Sequence, residues 1–199
     1  MSVLTDRMKT RNMKARMIRF VLAGVITVCL FGGSVSGAAA QEQRLGEYQV
    51  KAAFIYQFIN FIDWPPSSNF NNSPSINLCI IGDDPFGRAI DDMRSETIKG
   101  KKPAIRRYAS YEEARNCHII FIPASEKYHA GQILKATRKS TALTVGDMEE
   151  FAGKGAIISF FIEENKVRFI INTEAAKRSG LKISAKLLKL SKVTSSIEE

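Results

Sequence analysis

Apolar residues recur at helical spacing from Glu47 to Asp63 and predict an amphipathic helix with a wide buried face. Trp64 and the two prolines after it end this helix, because proline disfavours helical geometry in the preceding residue and lacks a backbone donor. A polar loop rich in asparagine and serine follows, from Ser67 to Ser75. We expect a strand after that loop.

Short apolar runs then alternate with segments of helical pattern through the middle of the chain. Runs of this kind, bounded by turn residues, are typical of strands buried on both faces of a parallel sheet. The predicted strands are Ile76–Ile81, Ala104–Tyr108, Cys117–Ile122 and Ala142–Val145. The first predicted helical segment has an Asp cap and Pro85 at its first helical position. The other predicted helical segments are Tyr111–Arg115, Ser125–Arg138 and Gly146–Phe151. This alternation predicts an α/β fold, a single layered domain with a mostly parallel central sheet flanked by helices.

The C-terminal part departs from this alternation. Residues Ile157–Glu163 and Val167–Asn172 alternate between apolar and polar, and they predict an antiparallel hairpin on the edge of the sheet. Thr173–Ser179 is a predicted short helix ended by Gly180, and Leu181–Lys192 is a predicted helix. Lys182, Lys186 and Lys189 form a lysine stripe on this last predicted helix. We interpret the stripe as a solvated face or, alternatively, as a surface that contacts anionic lipid or a partner.

Residues 1–40 have the three parts of a secretory signal peptide. Six basic residues precede a 12-residue apolar run, Phe20–Phe31, and Ala38–Ala40 offers a small-residue cleavage site before Gln41. The alternative is a membrane anchor, but a 12-residue helix reaches about 18 Å, short of a hydrocarbon core of about 30 Å. We therefore expect the signal to be removed and residues 41–199 to form the exported domain.

The net charge of +9 would ordinarily favour a nucleic-acid partner. Removing residues 1–40 takes away six of the 29 basic and one of the 20 acidic side chains. The remaining 23 basic and 19 acidic side chains give a nearly balanced surface, so we expect no nucleic-acid binding. With 45% hydrophobic residues the chain also has enough apolar side chains for a packed core, which excludes the disordered class.

Export also changes the interpretation of the cysteines. Cys29 lies in the predicted signal, so two cysteines remain, Cys79 and Cys117. An even number in an oxidising compartment favours one disulfide. The alternative is two separate thiols in the core, since each cysteine adjoins an apolar run.

The segment from Gly82 to Ala89 has the glycine spacing of a phosphate-binding loop but not its chemistry. Arg88 replaces the lysine, Ala89 has no hydroxyl for magnesium, and two carboxylates would repel a phosphate. A tight turn explains the segment better. Its residues Asp83, Asp84 and Phe86 remain candidate binding residues, because carboxylates at the end of a parallel strand could hold a cation or a cationic partner.

Other signatures of catalysis are missing from the sequence. The chain has two histidines, His118 and His129, and contains neither an HExxH nor a GxSxG motif. A metal site made of these histidines and the two cysteines lacks the usual spacing, so we expect no metal, no cofactor and no catalytic residue. Trp64 is interpreted as packing at the end of the first helix or, alternatively, as an exposed anchor for a partner.

Four segments of the chain, in order, resemble the YfiR/HmsC-like family of small bacterial periplasmic proteins. They are Tyr48–Pro65 (YQVKAAFIYQFINFIDWP), Ile81–Gly87 (IGDDPFG), Leu143–Asp147 (LTVGD) and, most specifically, Gly155–Val193. The resemblance covers about residues 47–193, nearly all of the exported part.

The resemblance implies a non-enzymatic regulator. Similar proteins bind the periplasmic sensor domain of an inner-membrane diguanylate cyclase and hold it inactive, which lowers cyclic di-GMP and biofilm formation. An outer-membrane lipoprotein can sequester such regulators. A periplasmic small-ligand-binding domain without a cyclase partner is the alternative function, and a homodimer is an open alternative for its assembly.

Overall fold

The computed structural model of the protein describes residues 35–114 and 116–194. The chain divides into two compact units, Met1–Arg44 and Leu45–Glu199. The basic and apolar regions of the predicted signal peptide lie outside the described residues, and so does the end of the chain after residue 194. Within the described part, no helix combines the length and apolar character needed to cross a membrane.

The first helix supplies one wall of the core. Helix α1 (Val35–Phe61) runs into a two-residue strand, β1 (Ile62–Asp63). The apolar stripe predicted after Glu47 is buried: Ile55 and Phe58 are fully inaccessible to solvent. The ring of Phe58 lies 4.9 Å from the ring of Phe169 in an edge-to-face contact, and this aromatic packing holds the helix against the sheet.

The central sheet has seven strands. They are β2 (Ser75–Ile81), β3 (Lys102–Tyr108), β4 (Ile119–Ile122), β5 (Leu143–Gly146), β6 (Ile158–Glu163), β7 (Lys166–Asn172) and β9 (Lys192–Thr194). The order across the sheet is β3-β2-β4-β5-β6-β7-β9, and every neighbouring pair is parallel except β6 and β7. The predicted mostly parallel sheet with a C-terminal antiparallel pair is confirmed.

The sheet separates two apolar clusters, because successive side chains of a strand point to opposite faces. Phe121 belongs to the cluster that contains α1, whereas its neighbours Ile120 and Ile122 belong to the second cluster. The second cluster also contains Ile133 and Leu134 of helix α3 (Ala130–Thr137). The molecule is therefore layered, with helices on both faces of the sheet.

The helix after β2 begins later than predicted. An oxygen of the Asp84 side chain accepts a hydrogen bond from the Phe86 backbone N–H at 2.8 Å, which closes a turn instead of capping a helix. Helix α2 (Arg88–Asp91) starts only after Gly87, whose φ of 55° is left-handed. The helix predicted at Ser125–Arg138 is likewise shortened to a 3-10 turn, Ala124–Glu126, followed by α3.

The helix predicted over Leu181–Lys192 is wrong. In its place the structure has β8 (Lys182–Ile183), helix α5 (Ala185–Lys189) and β9, after the predicted short helix α4 (Thr173–Arg178). β8 pairs with β1, and β9 adds to β7 as a parallel strand, so the hairpin of β6 and β7 is not at the edge. Backbone pairing with distant strands overrides the helical spacing of this segment.

Candidate functional site at the carboxyl edge

The ends of the parallel strands bring together three of the segments that the sequence analysis singled out. Gly82 follows β2, Glu126 follows β4, and Asp147 follows β5. Because β3 lies on one side of β2 and all later strands lie on the other, the chain changes direction across the sheet between β2 and β4. In open α/β sheets, ligands bind in the crevice at such a switch point. We call this region the carboxyl edge.

A buried ion pair fastens helix α1 to the carboxyl edge. The Lys51 Nζ lies 2.6 Å from Asp147 Oδ1 and 2.5 Å from Glu47 Oε1, and the Lys51 side chain is 4% exposed. The Tyr48 hydroxyl donates to Asp147 Oδ2 at 2.8 Å, and the Ala124 backbone N–H donates to the same oxygen at 3.2 Å. Asp147 therefore connects the first helix, the segment after β4 and the end of β5 through its two oxygens.

A second charged cluster fixes the turn after β2. The Arg107 guanidinium lies 2.6 Å from Asp84 Oδ2 and 3.0 Å from Asp91 Oδ2. Partial burial raises the pKa of Asp91, but hydrogen bonds and charges from Arg107 and Arg94 outweigh that effect, so this pKa lies below its ordinary value. The cluster holds the IGDDPFG segment against strand β3.

The four candidate binding residues from the sequence do not form one surface. Asp83 is exposed, whereas Asp84 is occupied by Arg107. Phe86 is 1% exposed, and its ring contacts the rings of Tyr48 and Phe121. A binding role for these residues stays a prediction, and Asp83 is the one whose side chain is open to a partner.

Trp64 lies away from the carboxyl edge. Its ring stacks on that of Phe70 with centroids 4.1 Å apart, and the residue is 7% exposed. Phe70 in turn contacts the ring of His118, which precedes β4 and therefore lies near the amino edge of the sheet. Of the two interpretations of Trp64, packing at the end of the first helix agrees with this burial.

His118 is a buried residue at the amino edge of the sheet. Its Nδ1 accepts a hydrogen bond from the Asn77 backbone N–H at 2.8 Å, and the residue is 4% exposed. Burial lowers the pKa of His118 because the charged imidazolium loses its hydration. His118 is thus part of the structural joint between β2 and β4.

The disulfide predicted from cysteine number is present. It joins Cys79 in β2 to Cys117 just before β4, with Cα atoms 5.9 Å apart. The two strands are hydrogen-bonded neighbours. With both sulfurs in the bridge, neither cysteine is available as a thiolate ligand, and the described residues contain no cluster of histidine, cysteine and carboxylate that could hold a metal.

The residues that organise the carboxyl edge were not predicted from the sequence, although it contains one signal for them. Lys51 lies three residues after Tyr48 and four before Ile55, so it occupies the apolar stripe of α1. A lysine in a buried stripe requires an acidic partner. Asp147 directly follows an apolar strand, so its carboxylate was a candidate for this acidic partner. Nothing in the sequence indicated that Glu126 would lie over Gly82.

Comparison with known proteins gives one family. A sequence profile described as YfiR/HmsC-like matches residues 48–192. Comparison with curated proteins finds no match.

Two solved structures share the fold at low sequence identity. One is titled as a conserved domain protein from Vibrio cholerae O1 biovar eltor, with a TM-score of 0.54, 11% identity, and coverage of 74% of this chain and 60% of that one. The other is titled as an ABC domain in complex with L-Trp from Streptococcus pneumonia, with a TM-score of 0.51, 11% identity and the same coverages. The chain thus spans about three fifths of each structure's length, and the likeness concerns the fold alone.

Proposed function

The chain belongs to the YfiR/HmsC-like family, and we propose that it is a periplasmic regulatory protein that represses an inner-membrane diguanylate cyclase. It would bind the periplasmic sensor domain of the cyclase, keep the enzyme inactive, and so lower cyclic di-GMP and biofilm formation. The observation that carries this proposal is the family match over residues 48–192, which takes in nearly all of the unit Leu45–Glu199.

The carboxyl edge is consistent with a binding role. Its charged side chains are used to hold backbone segments in place: Lys51 with Asp147, and Arg107 with Asp84 and Asp91. Rigidly held loops present a preformed surface, which reduces the entropic cost of binding a partner. Asp83 would meet a cationic group on that partner. An outer-membrane lipoprotein that sequesters the repressor would compete with the cyclase for binding to this protein.

We also propose the route of maturation. The signal peptide would be cut after Ala40, and residues 41–199 would form a single domain in the periplasm. The Cys79–Cys117 disulfide supports this location, because such bonds persist in oxidising compartments and are rare in the cytosol. The mature N-terminus is therefore expected near Gln41.

Deletion and complementation test the regulatory role. Deleting the gene should raise cyclic di-GMP and surface attachment, and an exported copy should restore both. The matched control is the same chain without residues 2–40, which stays in the cytoplasm and should fail to complement. Unchanged cyclic di-GMP in the deletion strain would contradict the proposal.

Co-purification tests the partner directly. The protein, isolated from the periplasm, should bind the isolated sensor domain of the cyclase. Asp83→Lys should weaken the complex more than Asp92→Lys, which changes another exposed aspartate. Absence of binding by the unaltered protein would contradict a direct interaction.

A further inference from the structure

We propose that a crevice at the switch point between β2 and β4 binds a small organic cation, with its ammonium or guanidinium group on Glu126. The crevice belongs to the same carboxyl edge as Asp83, but Asp83 does not line it, and the proposal does not rest on the cyclase contact. It would give the protein a soluble ligand as well as a protein partner.

The crevice is large enough for a small molecule. Its volume is about 340 Å³, at the lower end of the range of about 300–1,000 Å³ found for ligand cavities. It lies beyond the ends of β2 and β3 and beside helix α3. Its walls include Ile81, Tyr111, Glu126, His129, Gln132 and Ile133. Apolar surface with a few polar groups is the usual composition of a ligand site.

Glu126 differs from the other shielded carboxylates of the protein. Among the described residues, six acidic side chains are buried or half-buried, and five of them are within 4 Å of a lysine or arginine nitrogen. The five are Glu47, Asp84, Asp91, Asp147 and Glu174. Glu126 has His129 instead, with 3.1 Å between Oε2 and Nδ1. A permanent cation is therefore missing from this one site.

The backbone makes room for the Glu126 carboxylate. Gly82 has a left-handed φ of 79°, and a Cβ on it would lie 2.3 Å from Glu126 Oε1. Only glycine allows this approach. The Glu126 side chain is 19% exposed, and none of the described residues donates a hydrogen bond to Oε1. Glu126 lines the crevice, and Oε1 has no donor among the described residues, so this carboxylate can still accept a hydrogen bond from a ligand.

The walls define the rest of the ligand. Ile81 and Ile133 offer apolar contact, while Tyr111 offers a ring that attracts cations as well as apolar groups. The Gln132 amide can bond a second polar group. These features fit a primary amine or guanidine on a short apolar or aromatic body. An anionic molecule would meet the charge of Glu126 and be rejected.

Titrations of the protein purified from the periplasm test the site. The probes are agmatine and 2-phenylethylamine, and the matched negatives are 2-phenylethanol, which is neutral, and phenylacetate, which is anionic. In 1H–15N NMR spectra we expect saturable shifts of the Gly82 and Glu126 amides with both amines and none with the two negatives. Replacing Glu126 with Gln should raise the dissociation constant at least about tenfold, since a charge-assisted hydrogen bond is lost.

The control variant is Glu113→Gln, which removes an exposed carboxylate near the crevice but not in its lining. It should bind the amines as the unaltered protein does. Absence of shifts with both amines, equal shifts with 2-phenylethanol, or unchanged affinity in Glu126→Gln would each overturn the proposal. If Glu126→Gln fails to fold, the comparison of the amines with the neutral and anionic probes on the unaltered protein still decides. None of these measurements involves the cyclase, so failure here leaves the proposed repression untouched.

Discussion

The Lys51 Nζ and the Asp147 Oδ1 lie 2.6 Å apart, and both side chains are almost fully shielded from water. The pair links the first helix to the end of β5, so helix position and loop position are set together. A buried charge whose partner is removed retains its desolvation cost without compensation. The contact therefore controls whether the carboxyl edge keeps its shape.

Replacing Lys51 with Met should lower the free energy of unfolding by about 3–5 kcal/mol, because Asp147 then stays buried without a cation. The double variant with Asp147→Asn should lose less than the sum of the two single variants. Urea unfolding followed by circular dichroism measures both. The control is Lys177→Met, an exposed pair partner of Glu174, for which about 1 kcal/mol or less is expected. Equal losses in Lys51→Met and Lys177→Met would contradict this account.

Replacing both Cys79 and Cys117 with Ala should cost about 2–5 kcal/mol, because the unfolded chain regains the freedom that the bridge removes. Thiol counting on the denatured, unreduced mature protein should find no free thiol. Dithiothreitol should destabilise the unaltered protein and leave the double variant unchanged. Two free thiols in the purified protein would be the contrary result.

The free energy of unfolding should fall as the pH drops below about 6.5, because the unfolded state binds a proton at His118 that the folded state resists. The loss continues until the pH reaches the lowered pKa of the folded state, and its slope is at most about 1.4 kcal/mol per pH unit. His118→Asn should remove this part of the pH dependence in urea titrations between pH 5 and 7. The control is His129→Asn, which changes an exposed ring and should leave this pH dependence unchanged. If the free energy of unfolding depends on pH in the same way in both variants, His118 is not its source.

Gly146→Ala should destabilise the protein by about 1–3 kcal/mol, because its Cβ would lie 2.7 Å from atoms of the buried Phe151 side chain. Gly131→Ala is the matched control. Gly131 is in helix α3 with nothing within 4 Å of the added carbon, so this change should stabilise by about 0.5–1 kcal/mol. Thermal unfolding should move the two variants in opposite directions, and a shift in the same direction would contradict the packing argument.

Several strands of the sheet were predictable because they are apolar runs bounded by turn residues, as Ile76–Ile81 and Ala142–Val145 illustrate. The C-terminal segment was not. Ile183, Leu187 and Leu190 have helical spacing, yet Leu190 is 69% exposed and Ile183 belongs to a strand. Two- and three-residue strands depend on partners far along the chain, so a local pattern does not reveal them.

In the candidate site too, local features were predictable from the sequence and contacts between distant segments were not. The turn at Gly82–Asp84 could be recognised from its residue types, whereas its meeting with Glu126 depends on the order of β2 and β4 in the sheet. The disulfide was predictable from the even number of cysteines together with the expected export to an oxidising compartment. The pairing of Lys51 with Asp147 could not be predicted, because it depends on the end of β5 lying beside one turn of α1. Only the folded structure shows that placement.

The short ladder of β1 and β8 pairs Ile62 with Ile183, so the end of the first helix is tied to a residue near the C-terminus. Under the proposed export, a chain that emerges from a translocation channel N-terminus first cannot complete this ladder until almost all of it has crossed. Until then the apolar stripe of α1 and the ends of the sheet lack their last partners. Truncated products would stay open and be exposed to proteases, and only a full-length chain would close.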